Sequence, residues 1–188
     1  MNLFDILGPV MVGPSSSHTA GAVRIGLAAR RLLGEGTPKS AEITLFGSFA
    51  ATGRGHGTDR ALIAGLLGYK PDDERIADSY AWAKGYGMDV HFEFSKRAAE
   101  HPNTATIKMT GQSGKQMTMT ACSLGGGRIM VPEFNGLPAK FSCDLATLFV
   151  QNTDQPGRVG IVTSLLAKGK INIATLHVYR DHPGGNAV

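Results

Sequence analysis

Cysteine is scarce in this sequence, because only Cys122 and Cys143 occur among its 188 residues. The two lie far apart, and neither belongs to a CxxC or similar ligand spacing, so neither a disulfide framework nor a zinc site is indicated. No stretch approaches the roughly 18 apolar residues of a membrane span. Residues 1–8 also lack the basic start and long apolar run of a signal peptide. We therefore expect a cytoplasmic protein with reduced thiols.

Charged residues are also few, at 18% of the chain, and their formal sum is +4 from 19 basic and 15 acidic side chains. The basic excess is scattered, without a run of lysine and arginine or a stripe that mixes them with aromatic residues, so nucleic-acid binding is not expected. This excess suits an anionic small ligand or an acidic partner. Hydrophobic residues make up 42% of the chain, which favours a globular core over disorder.

Hydrophobic periodicity predicts helices and strands along the N-terminal part of the chain. The predicted helices cover 19–33, 60–67 (capped by Asp59) and a segment that begins at Pro71. The predicted strands cover 41–46, 88–94, 104–110, 117–121 and 128–131, and a glycine-rich loop occupies 47–58. The pattern predicts an α+β fold, in which helices pack on a mixed or antiparallel sheet.

A second pattern begins after a connector that contains glycine and proline. Strands are predicted at 148–150 and 171–179, with an amphipathic helix at 159–167 between them, which is a β-α-β unit. We therefore predict a first domain over 1–134, a linker over 135–145 and a second, smaller module over 146–188.

The segment GPSSSHT (13–19) brings hydroxyl groups and a histidine to the start of the first helix. Serine and threonine side chains cap free backbone amides, and a helix N-terminus attracts anions such as a carboxylate. His18 titrates near neutral pH and has the chemistry of a general base. The segment could therefore hold a carboxylate and move a proton beside it. An ordinary helix cap explains the same residues equally well at this stage.

Three further segments carry polar groups next to glycine or proline. In GRGHGTD (53–59), Arg54 suits a carboxylate and His56 a proton transfer, although a flexible turn capped by Asp59 is the plain alternative. The segment lacks the ending of a phosphate-binding Walker loop. His101-Pro102-Asn103 could be a simple turn before a strand, and GGGR (125–128) a bulge between strands.

Other candidate residues are expected to be structural. His91 alternates with apolar neighbours on a strand, so we expect it on the solvent-exposed face. His177 and His182 belong to the second module, where a catalytic role is not expected. Cys122 and Cys143 are expected to be small packing residues rather than metal ligands.

In this order the segments resemble a known family. FDI (4–6) with Gly8-Pro9, GPSSSHTAGAVRIG (13–26), GSFAATGRGHGTD (47–59), HPNTA (101–105) and GGGRI (125–129) resemble the beta region of the bacterial iron–sulfur L-serine dehydratases. The segment 148–188 resembles the first part of an ACT domain, opening on VQNTDQPGRV (150–159). That domain has a ferredoxin-like β-α-β-β-α-β order, so the resemblance implies a partial module without the second helix and last strand.

The resemblance implies an enzyme that converts L-serine to pyruvate and ammonia. It implies a 4Fe-4S cluster with cysteine ligands in an alpha chain, and no metal ligand in this chain. It also implies His18 as the catalytic base. The implied substrate-binding residues are Ser15, Ser16, Ser17, Thr19, His56, Thr58, His101 and Asn103. Pyridoxal phosphate is not expected, because GSF (47–49) is followed by Ala50 where the pyridoxal-phosphate enzymes carry lysine.

The expected partners are the alpha chain, L-serine and, through the beta and ACT regions, a second copy of this chain. One alternative stays open at this point. The same region is similar to the allosteric substrate-binding domain of some 3-phosphoglycerate dehydrogenases, which also precedes an ACT domain. In that case the same loops bind an anionic metabolite and perform no chemistry.

Overall fold

Six strands form a mixed sheet in the computed structural model, which describes residues 9–188. Residues 1–8, where the sequence predicts no signal peptide, lie outside the described residues. In chain order the strands are β1 (Ser40–Phe46), β2 (Asp89–Phe94), β3 (Asn103–Thr110), β4 (Gln116–Gly125), β5 (Arg128–Phe134) and β6 (Leu137–Phe141). Their spatial order is β2-β1-β3-β4-β5-β6.

The helices precede and follow β1. They are a π-helical turn (Ser16–Gly21), α1 (Ala22–Leu33), α2 (Gly47–His56), α3 (Thr58–Leu67), a 3₁₀ turn (Glu74–Asp78) and α4 (Ser79–Gly85). β1 and β2 run parallel, while the other neighbours in the sheet run antiparallel. A parallel pair needs a long crossover, and α2, α3 and α4 provide it. The predicted α+β fold with a mixed sheet is confirmed.

The core lies between one face of the sheet and the helices. The strand residues that line it alternate along the chain and are buried: Ala41, Ile43, Leu45, Ala105, Ile107, Met109, Met117, Met119 and Ala121. The opposite face of β3 and β4 is polar, and the Thr106 and Thr120 hydroxyl oxygens lie 3.0 Å apart across it. His91 is exposed on β2, as predicted. Period-two alternation therefore assigned the faces of these strands correctly.

Two glycines let α1 and α3 cross at close range. A Cβ atom on Gly26 would overlap the carbonyl oxygen of Leu62 and lie 2.9 Å from the Cα atom of Gly65. A Cβ atom on Gly65 would overlap the carbonyl oxygen of Val23. Both helices bury apolar side chains in the same core, so this contact sets the spacing of the helical layer above the sheet.

The prediction of a loop over 47–58 is wrong, because residues 47–56 form α2. Glycine costs about 1 kcal/mol in a helix interior, so the sequence alone disfavours this helix. Packing overrides that preference, since the Phe49 side chain is fully buried and Gly53 lies against Thr58. The predicted cap Asp59 lies inside α3, whose cap position is occupied by Gly57.

The C-terminal segment differs most from its prediction. The predicted linker 135–145 contains β6, which extends the sheet. The predicted helix is present as α5 (Arg158–Lys168), but the strands predicted at 148–150 and 171–179 do not form. A strand requires a hydrogen-bonded neighbour. In this part of the described chain, β7 (Asn152–Thr153) pairs with β8 (Asn186–Ala187), and backbone pairing near 171–179 is limited to Tyr179 with Val188 and the bridge from Arg180 to Ala187. The β-α-β unit is therefore not present in this form.

Within residues 9–188, no helix combines the length and apolar character needed to cross a bilayer.

Gly65→Ala is expected to lower the free energy of unfolding by about 1–3 kcal/mol, because the added methyl group forces α1 and α3 apart. Urea unfolding monitored by circular dichroism measures this change. Gly160→Ala in α5 is the matched control, because nothing in the described chain lies within 4 Å of its added Cβ atom. It is expected to raise stability by about 0.5–1 kcal/mol. A Gly65→Ala protein as stable as the wild type would contradict the close crossing.

Candidate active site

The segment that carries His18 opens the first helix with an unusual turn. Ser15 caps this turn, and its side-chain oxygen accepts a hydrogen bond of 3.3 Å from the His18 backbone amide. The turn Ser16–Gly21 is π-helical and continues directly into α1. Single π-helical turns are frequent at functional sites, because the extra residue redirects a side chain. The ordinary helix cap and the candidate site are therefore the same structure.

His18 is buried, with 6% of its surface exposed, and its ring lies between this turn and α2. Its Nε2 atom lies 3.2 Å from the Thr52 hydroxyl oxygen and 3.3 Å from the Ser48 hydroxyl oxygen. Its Nδ1 atom lies 3.4 Å from the Ser15 hydroxyl oxygen. Both ring nitrogens therefore have hydroxyl partners, which fix the orientation of the ring.

His56 completes this arrangement from the last turn of α2. Its ring meets the His18 ring edge-on, with centroids 4.7 Å apart and an angle of 90° between planes. Ser48, Thr52 and His56 follow each other at intervals of four residues, so they share one face of α2. The His56 side chain is exposed, whereas Phe49 packs edge-on against His18 at 5.2 Å from the buried side. One helix face therefore contributes two hydroxyls and a second histidine to His18.

Ser48 and Thr52 were not among the predicted site residues. The signal that identifies them is the four-residue spacing to His56, which has meaning only in a helix. A loop over 47–58 does not place residues four apart on one side, so the loop prediction does not identify Ser48 and Thr52.

The surroundings of His18 favour its neutral form. Burial lowers its pKa below the ordinary value of 6.5, and the nearby His56 lowers it further. A hydrogen bond with the Ser48 backbone acts in the opposite direction and does not cancel the effect of burial. At pH 7 the His18 ring is therefore neutral, and the lone pair on one of its nitrogens can accept a proton.

The His101-Pro102-Asn103 segment lies against the first turn of α2. Asn103 pairs with Gly47 as an antiparallel bridge, and the Phe49 amide donates a 3.3 Å hydrogen bond to the Pro102 carbonyl. Gly47 has a φ of 55°, and a Cβ atom there would lie 2.8 Å from the Pro102 Cα atom. Both conditions exclude a side chain at this position. The segment is thereby linked to the helix that contacts His18.

The hydrogen bonds of His101 define its chemical role. Its Nδ1 atom accepts a 3.2 Å hydrogen bond from the Asn103 amide, and its carbonyl accepts one of 2.6 Å from the Thr104 hydroxyl. A neutral ring that accepts at Nδ1 carries its proton on Nε2. In this arrangement the neutral His101 ring can donate a hydrogen bond from Nε2.

The turn formed by residues 125–127, the triple-glycine turn, contacts the segment GPSSSHT (13–19), which is called the serine segment below. The Gly126 amide donates a 3.3 Å hydrogen bond to the Ser16 hydroxyl oxygen, and a Cβ atom on Gly125 would lie 3.5 Å from the Ser17 hydroxyl oxygen. The hydroxyl proton of Ser16 remains available to donate to another group. All four predicted segments are therefore connected, through α2 or through the serine segment.

Several polar atoms in this region are buried without a hydrogen-bond partner in the described chain. The group comprises Thr19 Oγ1, Thr58 Oγ1, Asn103 Oδ1 and Ser123 Oγ. Thr58 is fully buried at the start of α3, beneath Gly53, so its hydroxyl does not reach the surface on which His56 lies. Arg54 is also directed elsewhere, since its guanidinium lies 4.4 Å above the Phe94 ring.

A 4Fe-4S cluster does not fit the described residues. Within 9–188, no three His, Cys, Asp or Glu side chains converge into a metal-binding group. Burial raises the pKa of the Cys122 thiol, and it raises the pKa of the Cys143 thiol to about 11. Iron–sulfur ligation requires thiolates, which these environments disfavour. Both cysteines are free, and Cys122 is buried, as expected of a packing residue.

Comparison with known proteins gives consistent matches. A family model described as "Serine dehydratase beta chain" matches residues 2–84. The "Probable L-serine dehydratase, beta chain" of Bacillus subtilis is 42% identical over 183 residues, which cover 97% of this chain and 82% of that protein. The "L-serine dehydratase, beta chain" of Peptoniphilus asaccharolyticus is 37% identical over 179 residues, which cover 95% of this chain and 80% of that protein. "L-serine dehydratase 2" of Escherichia coli is 42% identical over 160 residues, but only 34% of its length is covered.

The lowered pKa of His18 predicts a pH dependence of stability. Between the folded pKa and the ordinary value of 6.5, the unfolded chain binds a proton that the folded chain does not bind. The free energy of unfolding should therefore decrease as pH falls through this window. In His18→Gln, the urea midpoint of unfolding should depend less steeply on pH across this window. His91→Gln, at an exposed histidine on β2, is the control and should keep the pH dependence of the wild type. A His18→Gln protein with the complete wild-type slope would contradict the shift.

Proposed function

Because the chain belongs to the serine dehydratase beta chain family, we propose that it is the beta component of an L-serine ammonia-lyase, which converts L-serine to pyruvate and ammonia. The observation that carries this proposal is the neutral, buried His18 held between the serine segment and α2, with His56 beside it. Both the serine segment and α2 lie within the region that the family model matches.

We propose that the alpha component holds the 4Fe-4S cluster. When bound there, the cluster supplies a Lewis acid for the hydroxyl group that leaves. Because the described residues of this chain do not fit such a cluster, the steps proposed below involve only its own side chains. The absence of pyridoxal phosphate and the cytoplasmic location stay predictions.

The serine segment and the His-Pro-Asn segment are proposed to hold the substrate. The hydroxyl protons of Ser16 and Ser17 are donors suited to a carboxylate, and Ser16 keeps its proton free because its oxygen accepts from Gly126. His101 offers an N–H donor at Nε2, with Asn103 next to it. Thr19 and Thr58 are buried, so their proposed part is to support this surface from beneath. Together these donors offset the negative charge of the carboxylate.

His18 is proposed to be the general base. Its neutral ring accepts the proton from the Cα atom of serine, and the electron pair of that bond forms the double bond as hydroxide leaves. The resulting aminoacrylate tautomerises and hydrolyses to pyruvate and ammonia. His56 is the alternative base, because its exposed ring lies beside His18. In the main proposal His56 instead contacts the substrate.

The C-terminal segment is proposed to be the first part of an ACT domain, separated from the first domain near the predicted linker. Copies of the chain are proposed to pair through the beta and ACT regions. Large apolar side chains are exposed here, including Leu148, Ile161 and Leu165, which supports a surface that the assembled enzyme covers. Because β6 belongs to the main sheet, the proposed boundary lies after Phe141.

The alternative proposal is a binding module that holds an anionic metabolite without chemistry. The same donors would serve it, but the matches to serine dehydratase beta chains favour the lyase. The two proposals differ in what the loss of His18 does. In a binding module it weakens affinity alone, whereas in the lyase it removes turnover.

His18→Ala in the complex with the alpha component is expected to lower kcat by roughly a hundredfold or more, as for the loss of a general base. Pyruvate formation measures this effect. Ser16→Ala should raise KM more than it lowers kcat, because Ser16 holds the substrate. His91→Ala, on the exposed face of β2, is the control and should change neither. Near-full turnover by His18→Ala, together with complete loss in His56→Ala or His101→Ala, would assign the base elsewhere.

The chain alone is expected to bind no cluster and to form no pyruvate. Anaerobic treatment of the isolated chain with iron and sulfide should leave no absorbance of an iron–sulfur cluster, because its two thiols are held protonated and apart from other ligands. Its circular dichroism spectrum provides the check that the protein stays folded. A stable cluster that turns over serine would contradict the proposed division between components.

A further inference from the structure

Thr52 has a single hydroxyl proton, and the geometry indicates where it lies. Thr52 Oγ1 donates a 2.9 Å hydrogen bond to the Ser48 carbonyl oxygen, one helical turn earlier. Threonine side chains commonly bond this carbonyl within helices. The carbonyl oxygen is an acceptor only, so the proton of Thr52 is committed to it. The Thr52 oxygen therefore presents only lone pairs to other neighbours.

One of those neighbours is the Nε2 atom of His18, at 3.2 Å. Two lone pairs facing each other at this distance would repel, whereas a proton on Nε2 makes the contact a hydrogen bond. The Ser48 hydroxyl, at 3.3 Å from Nε2, is also able to accept such a proton. The Ser48 backbone raises the pKa of His18, as an acceptor beside a ring N–H does.

The other side of the ring is consistent with the same proton position. Ser15 Oγ accepts from the His18 backbone amide and keeps its own proton, and it lies 3.4 Å from Nδ1. If Nε2 carries the ring proton, Nδ1 has a free lone pair that accepts from the Ser15 hydroxyl. The Ser48 hydroxyl is also compatible with this proton position, because its own proton can point to the Thr52 hydroxyl oxygen, 3.4 Å away.

We propose that Thr52 is a positioning residue that fixes neutral His18 in the tautomer with its proton on Nε2, so that the lone pair on Nδ1 faces Ser15. The inference deepens the proposed function and rests on it for its catalytic meaning. With Nε2 already protonated, the proton removed from serine is received at Nδ1, on the side of the serine segment, and the Ser15 hydroxyl gives up its hydrogen bond to that atom. The base and the carboxylate donors then lie on the same side of the imidazole ring. A ring in the other tautomer would offer its lone pair to α2.

Nuclear magnetic resonance of the full chain labelled with ¹⁵N-histidine tests this directly. At about pH 8 neutral rings dominate, since the ordinary pKa of histidine is about 6.5, and long-range ¹H–¹⁵N correlations then distinguish the two tautomers. His18→Gln identifies the His18 signals by their loss. The wild type should show the Nε2–H tautomer at His18. Thr52→Val, which keeps the shape of the side chain but removes the acceptor, should lower the ratio of Nε2–H to Nδ1–H about fivefold or more. A fivefold change in this ratio corresponds to about 1 kcal/mol, which is typical of one hydrogen bond.

Thr52→Ser should restore the wild-type ratio, because serine keeps the hydroxyl. Thr163→Val is the matched control, since Thr163 donates to the carbonyl oxygen of Val159 in α5 in the same way, far along the chain from His18. It should leave the His18 signals unchanged. An Nδ1–H tautomer in the wild type, or an unchanged ratio in folded Thr52→Val, would overturn the proposal. Neither result depends on turnover, so the proposed function is tested separately by the pyruvate assay.

Discussion

The contact between the His18 ring and one face of α2 is the interaction on which the rest of the site depends. It joins the turn before α1 to the helix after β1, two segments that are separate in sequence. α2 in turn is held by Gly47 against Pro102, which brings the His-Pro-Asn segment to the same place. The triple-glycine turn reaches the site through Ser16. His18 is therefore the residue around which these segments meet.

The same contact gives His18 its chemistry. Burial between the turn and α2 lowers its pKa, while hydroxyl groups on both sides satisfy its ring nitrogens without adding charge. A carboxylate partner would have favoured the protonated ring and removed its capacity to accept a proton at pH 7. Burial also favours the neutral form of the two thiols, but for a thiol this raises the pKa. The thiols therefore stay protonated, which does not suit iron ligation. The described side chains are therefore better suited to proton transfer than to iron–sulfur ligation.

Sequence reasoning predicted the elements whose signal is periodic and local. The alternation in β2, β3 and β4 identified their buried faces and the extent of β2 and β3 to within one residue, whereas β4 continues four residues beyond its predicted end at 121. The helix that contains α1 was predicted from its own periodicity. α2 was missed because its glycines oppose helix formation, and only burial of Phe49 and contact with Pro102 compensate for them. Ser48 and Thr52 were missed with it. The strand predicted at 171–179 failed for another tertiary reason, since an apolar extended segment becomes a strand only beside a partner.

We propose that this chain supplies the proton-transfer part of an L-serine lyase whose cluster resides in a second component. Mixing the chain with a cluster-loaded alpha component, and measuring pyruvate formed from L-serine against each protein alone, tests it most directly. No pyruvate is expected from either protein alone, and sustained formation is expected when both are present. Equal rates for the alpha component with and without this chain would contradict it.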